Sequence, residues 1–439
     1  MKHYLAIMGS MVLLLLTTIP AFSQDDSRQR ERNEILKQLT DLRAVIDSLK
    51  ALNNQDESIE SLEERMEKRF TDLENKINNA VRGTSPIIFN PRTTAFINFA
   101  ARGDNKTAFN EDGSVEISNR PFLRSTELDF RAPVDPYAEA VAILSVEDEA
   151  GQGFALDPEE VYGLIKRLPL LESAPMGMKL KVGKFRAPFG VSNRLHLHDL
   201  PWTTRPLVIS KLLGTEHGDF FESGFNPIGA DFDFFLPNPI PYTTLEMNID
   251  IVKSGDLGMS GGVGGRQPAW LTHLTLSADL MNEHIVILGA SGYAERGRPS
   301  VSLLGLDATY KWAPSEQRSS RSAVVGGEIF WGRRTAIDSL QAEQVVRPRG
   351  WYGFAQVQLS YWLYLGIRYD WAQDPLESLP VTRSLAAYAS YYTTEFLRFR
   401  IGYEHRTSDN DVVNGLNTAV LEINFVFGSH PTEPYWVNR

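Results

Sequence analysis

From about Ile87 to Phe427 the chain runs in short stretches, about ten residues each, in which apolar and polar residues alternate. Glycine, proline, asparagine and aspartate clusters separate them. In the stretch 395–406, Leu397, Phe399, Ile401 and Tyr403 fall on one face, and Arg398, Arg400, Gly402 and Glu404 on the other. The same parity sets Leu363, Leu365, Ile367, Tyr369 and Trp371 against Tyr364, Gly366, Arg368 and Asp370. It also sets Leu245, Met247, Ile249 and Ile251 against Glu246, Asn248 and Asp250, and Leu421, Ile423, Phe425 and Phe427 against Glu422 and Asn424. A soluble sandwich alternates too, but here the apolar faces end in aromatics (Trp312, Tyr369, Trp371, Tyr391, Tyr403, Phe427) and several of the polar faces are charged. With no helical period among them, these strands predict an all-β transmembrane barrel over 87–439, with about 16 antiparallel strands because bacterial single-chain barrels use even numbers.

The N-terminal part has a different texture. Residues 1–23 combine Lys2, an apolar run from Met11 to Leu16, and Ala21 and Ser23 at cleavage-site spacing, which predicts a signal peptide and Gln24 as the mature start. Residues 24–82 are nearly free of Gly and Pro. Ile35, Leu42, Val45, Leu49 and Leu52, then Ile59, Leu62 and Met66, repeat as the seam of an α-helical coiled coil. So thin a stripe needs partner helices, unless the helix folds back onto the barrel. Gly83–Pro86 then forms a linker. An exported chain of this kind places the coil in the periplasm of a Gram-negative envelope and the barrel among outer-membrane lipid.

Composition narrows the chemistry. There is no cysteine, so disulfides, thiolate metal sites and a lipidated N-terminal cysteine are excluded. A net charge of −11 without a basic cluster argues against nucleic acid. Gly261–Gly265 lacks the Lys-Ser/Thr of a phosphate loop, and neither a nucleophile elbow nor a His-Glu-x-x-His helix is present, so no enzyme is expected. His196, His198 and Asp199 form an H-x-H-D run; two imidazoles on one face of an extended segment are a candidate metal site that still lacks a ligand, and otherwise there is no cofactor. Glu216 and His217 lie farther on.

The most specific stretch is 178–190, where a strand ends in Gly183-Lys184-Phe185 and continues through Pro188-Phe189-Gly190, with 159–168 as the preceding strand. This motif resembles the phosphate-selective porin O/P type and the DcaP-like porins, and the coil ahead of the barrel is similar to the DcaP-like arrangement. The resemblance implies a homotrimeric porin that lets small hydrophilic solutes, anionic ones among them, diffuse passively. Two departures stand out: Phe427 is followed by a polar tail to Arg439, and the inward charges are of both signs. Parity makes Lys179, Lys181, Arg368, Arg398 and Arg400 the inward cations, and Glu246, Asp250, Asp370, Glu404 and Glu422 the inward anions, as candidates for selectivity. The long segment 191–226, rich in Pro, Trp and His, is a candidate to fold into the lumen. The alternative is an occluded structural or adhesive barrel whose coil tethers the envelope or binds partners.

Overall fold

The computed structural model describes residues 91–107, 119–148, 154–167, 174–214, 224–281, 283–314, 320–337, 343–409 and 414–428. The signal 1–23, the coil 24–82 with its seam from Ile35 to Met66, the linker 83–86, Glu216, His217 and the tail 429–439 lie outside the described residues.

Among the described residues seventeen strands form one antiparallel sheet. They are β1 (Arg92–Asp104), β2 (Arg120–Pro133), β3 (Ala138–Asp148), β4 (Phe154–Ile165), β5 (Lys179–Lys184), β6 (Ile228–Leu236), β7 (Thr243–Val252), β8 (Ala269–Leu280) and β9 (His284–Glu295). The chain continues with β10 (Ser300–Trp312), β11 (Ser322–Ile337), β12 (Glu343–Val346), β13 (Arg349–Gln358), β14 (Leu363–Gln373), β15 (Val381–Thr394), β16 (Leu397–Ser408) and β17 (Leu416–Gly428). β12 and β13 pair successive stretches of β11 in one unbroken register, interrupted at Arg347-Pro348, where proline cannot donate to the ladder. They count as one stave, so the ring has the sixteen that the alternation predicts. β1 pairs with β17 over Thr94↔Gly428 to Asp104↔Thr418, closing the ring and leaving no edge.

β1 starts and β17 stops at the same end. Connections at that end are mostly short (134–137, 237–242, 281–283, 359–362, 395–396), although 166–178 and 313–321 are longer. The long connections 105–119, 185–227 and 253–268 lie at the other end. In outer-membrane barrels the short turns face the periplasm and the long loops face outward.

Burial is inverted relative to a water-soluble protein. Leu304 and Ile401 are 62% and 64% exposed, whereas Asp370 and Glu422 are fully enclosed. Leu288, Leu306, Ile367, Leu385 and Leu421 extend the exposed apolar band. Outward aromatics flank it: Trp270, Trp331, Trp351 and Tyr403 toward the loop end, Trp312, Trp362, Tyr391 and Phe427 toward the turn end. Such a surface suits hydrocarbon between two interfaces.

Two bulges break the parity and matter for the interior. Asn98 pairs Ser125 while Phe99 pairs Leu123, so Arg124 is the extra residue, and Arg124 and Ser125 both turn inward. Ile143 pairs Glu160 while Leu144 pairs Pro158, so Glu159 and Glu160 both turn inward. β4 starts at Phe154 and ends at Ile165, earlier than the expected 159–168.

Candidate functional site

The connection between β5 and β6 folds into the ring as a plug. Gly183 and Lys184 end β5, and Phe185 begins the descent, fully buried with Ala187 and Phe189. Gly190 has φ +65°, and a Cβ there would stand 1.8 Å from Glu328 Oε2, so only glycine lets the chain turn against the wall. Asn193 staples the two limbs of the plug: its Nδ2 donates to the carbonyls of Ala187 (2.8 Å) and Phe225 (3.1 Å), and its Oδ1 accepts from Phe225 N–H (2.8 Å). Leu195, Leu197, Leu200, Trp202, Val208, Ile209 and Leu212 then pack on the wall residues Leu271, Leu303, Phe330, Tyr352 and Phe354. Trp202 meets Phe354 edge-on at 4.8 Å, and Phe189 meets Phe330 at 5.0 Å. Each such side chain contributes about 1.5–3 kcal/mol over its exposed state. From the 253–268 connection, Leu257 and Met259 join the same cluster, and Gly258 passes so close to Gly214 O that a Cβ would not fit.

A guanidinium array holds the plug's backbone. Arg400 donates to the carbonyls of Trp202 (2.6 Å) and Leu200 (2.7 Å), Arg398 to His198 O (2.8 Å), and Arg124 and Arg368 to the carbonyls of Thr203 and Thr204. Carboxylates balance them. Glu422 pairs with Arg398 (2.6 Å), Arg124 (3.0 Å) and Arg400 (3.5 Å), and Asp370 pairs with Arg368 (2.7 Å) while accepting Leu207 N–H (3.1 Å). Glu404 accepts from Thr204 Oγ1 and Ser384 Oγ, both at 2.7 Å. Arg368, Arg398, Arg400, Asp370, Glu404 and Glu422 thus face inward and meet in one array, but the plug covers them and their groups bond to it instead of facing an open passage. Strand parity carries no trace of this, because the covering segment lies elsewhere in the chain.

A second contact is ionic. His196 Nε2 lies 2.8 Å from Glu160 Oε1 and its Nδ1 3.3 Å from Glu127 Oε2. His198 Nδ1 lies 3.0 Å from the same Glu127 oxygen, with its ring stacked 3.6 Å from Phe96. The run is not extended as expected: Leu197–Asp199 forms a 3₁₀ turn, and the two imidazoles stack with centroids 5.6 Å apart. Among the described residues no group of three or more potential ligands is arranged to hold a metal ion. Both ring nitrogens of His196 face carboxylates, Nε2 in a hydrogen bond to Glu160 and Nδ1 in an ion pair with Glu127, which suits a protonated imidazolium.

Burial opposes charge on His196, and Arg186 adds to that, but Glu127 and Glu160 outweigh both and raise its pKa from 6.5 to about 9. A pKa raised in the plugged state means this contact is complete below about 6.5 and is lost as pH rises through about 9. Current through the barrel in a lipid bilayer is therefore expected to be quieter at pH 6 than at pH 10, and His196→Gln is expected to remove most of that difference. Equal noise at both pH values in the native protein would dismiss the clamp.

On the plug's opposite side, against β4–β7, lies a polar chamber of about 630 Å³, counting the space open to solvent. Lys179, Lys181, Arg186 and Arg194 supply its cations, and Glu160, Asp231, Asp233 and Glu246 its anions. Of the sequence candidates, Lys179, Lys181 and Glu246 line it, and Asp250 lies directly across from Asp231 in the register. Lys179 pairs with Asp233 at 3.6 Å, whereas Lys181 makes no ion pair and rests 4.8 Å over the Tyr162 ring. Sequence reasoning missed Arg124, Glu127, Glu159, Glu160, Arg186 and Arg194. The proline at 158 signals the second bulge, and Arg186 sits inside the 183–190 motif, but nothing local marks the others.

No protein-family model matches the chain. A protein of Aquifex aeolicus (strain VF5), described only as uncharacterized, is 26% identical over 369 residues, 74% of this chain and 72% of that one. Among solved structures the chain is similar to the outer membrane channel DcaP of Acinetobacter baumannii, at 10% identity and a TM-score of 0.47, covering 77% of this chain and 97% of that one. It is also similar to OmpF of Salmonella typhi, at 9% identity and a TM-score of 0.48, covering 77% and 98%. A third similar structure is OccK2 of Pseudomonas aeruginosa, at 11% identity and a TM-score of 0.38, covering 78% and 100%. With its closed ring of sixteen staves, apolar exterior and charged interior, the chain is a β-barrel suited to span a membrane.

Proposed function

We propose that the protein is a porin through which small hydrophilic solutes diffuse passively, by way of the space left between the plug and β4–β7. The observation that carries this reading is the chamber: the plug seals itself to one side of the ring with apolar contacts and arginines, and on the other side leaves a wet cavity lined by both signs of charge. A field of this kind sets which solutes enter. Purified protein in planar bilayers is expected to give discrete conductance steps, and Lys181→Glu with Arg194→Glu is expected to shift ion preference toward cations severalfold, read as the reversal potential in a salt gradient. A barrel that passes no current at any voltage would remove the reading and leave an occluded structural barrel.

The segment 24–82 fits this role as an oligomerisation device. Its seam calls for partner helices, with three copies matching the arrangement that the sequence motif resembles.

A further inference from the structure

The chamber has a polarity that a simple aqueous gap does not need. On the plug side, Arg194 carries two buried guanidinium nitrogens, Nε and Nη2, without a hydrogen-bond partner. Lys181 stands beside it on β5 with no ion pair, its ammonium over Tyr162 and Phe185. Across the chamber the free groups are acceptors. Asn248 is 5% exposed and donates through Nδ2 to Asp231, leaving its Oδ1 unbonded. Behind it Asp250 is fully buried, and neither of its oxygens accepts a hydrogen bond. The register sets Lys181 beside Asp231, and Asp231 beside Asp250, so the acidic groups lie one and two strands from the lysine.

Buried polar atoms without partners are costly, about 1–3 kcal/mol each, and more for charged groups. Here the unsatisfied donors of Arg194, on the plug, and the unsatisfied acceptor of Asn248, on the wall, line one polar chamber. A lone anion answers only Arg194 and Lys181; a lone cation answers only Asn248 and Asp231. The geometry points to a binding site for zwitterionic solutes of free amino acid or short peptide size, with the carboxylate on Arg194 and Lys181 and the ammonium on the Asp231–Asn248 side. This rests on the porin reading in taking the chamber as the solute's route, and it names the solute class.

Three probes separate the charges at constant size: trialanine, N-acetyl-trialanine, which keeps only the carboxylate, and trialanine amide, which keeps only the ammonium. Calorimetric titration of the detergent-solubilised protein at pH 7 is expected to show trialanine binding at least tenfold more tightly than either blocked form. Arg194→Gln is expected to erase its advantage over the amide, and Asn248→Leu its advantage over the acetylated form. Equal affinities for all three, or tightest binding of the acetylated form, would overturn the site. Conductance is read separately: binding without current would sink the porin reading and keep the site, whereas current without end-group preference would do the reverse.

Discussion

Removing residues 195–223 and joining Arg194 to Gly224 through two glycines is expected to raise single-channel conductance severalfold. The join is feasible because the two limbs already touch: Asn193 bonds to Ala187 and Phe225, and a Cβ on Gly224 would stand 2.6 Å from Asn193 Oδ1. The deletion keeps the limb from Phe185 to Arg194 and takes away Trp202, Val208, Ile209 and Leu212, the side chains that fill the lumen. A ring of sixteen staves is wide enough for an aqueous channel once that filling is gone. The change also uncovers Arg124, Arg368, Arg398 and Arg400, whose carbonyl partners leave with the loop, together with Glu422, Asp370 and Glu404 and with Glu127 and Glu160, which lose His196. Conductance should therefore rise together with a change in ion preference. An unchanged step size would mean that ions never passed where the plug sits.

That expected shift shows how the sequence and the structure divide the information. Period-two alternation made the ring legible, including which way Arg398, Arg400 and Glu422 point, because lipid-facing strands keep the same parity outside their bulges. It did not reveal that those residues hold a plug, since the carbonyls they bind lie about 200 positions away, on a segment whose entry into the lumen follows from Gly190 and Asn193. Parity failed outright at Arg124 and Glu159, where one extra residue turns two neighbours to the same side. The acidic side of the histidine clamp depends on that second bulge, so Glu160 was missed even while His196 and His198 were singled out. Their candidacy as metal ligands followed from residue type and spacing; in the fold each His196 nitrogen lies beside a carboxylate.

Glu422→Gln is expected to loosen the plug more than any other single substitution in the wall. Glu422 has no solvent exposure and is shared by three guanidiniums, two of them at 2.6 and 3.0 Å. Glutamine keeps the shape and removes the charge, leaving Arg124, Arg398 and Arg400 crowded around a neutral amide. Breaking one side of a buried ionic cluster costs about 3–5 kcal/mol, because the remaining charge stays enclosed without its counterion. The ring has its own hydrogen-bond ladder through β16 and β17, so the cost falls on the plug, whose carbonyls at Leu200, Trp202 and Thr203 depend on those arginines. Purified variant protein is expected to show frequent current fluctuations toward larger conductance, and to change its gel migration at a lower temperature than the native protein. Adding Arg398→Met lowers the excess positive charge and is expected to recover part of both losses, since residues in one charge network do not act additively. A Glu422→Gln barrel with native heat resistance and quiet current would show that the plug is held by its apolar contacts alone.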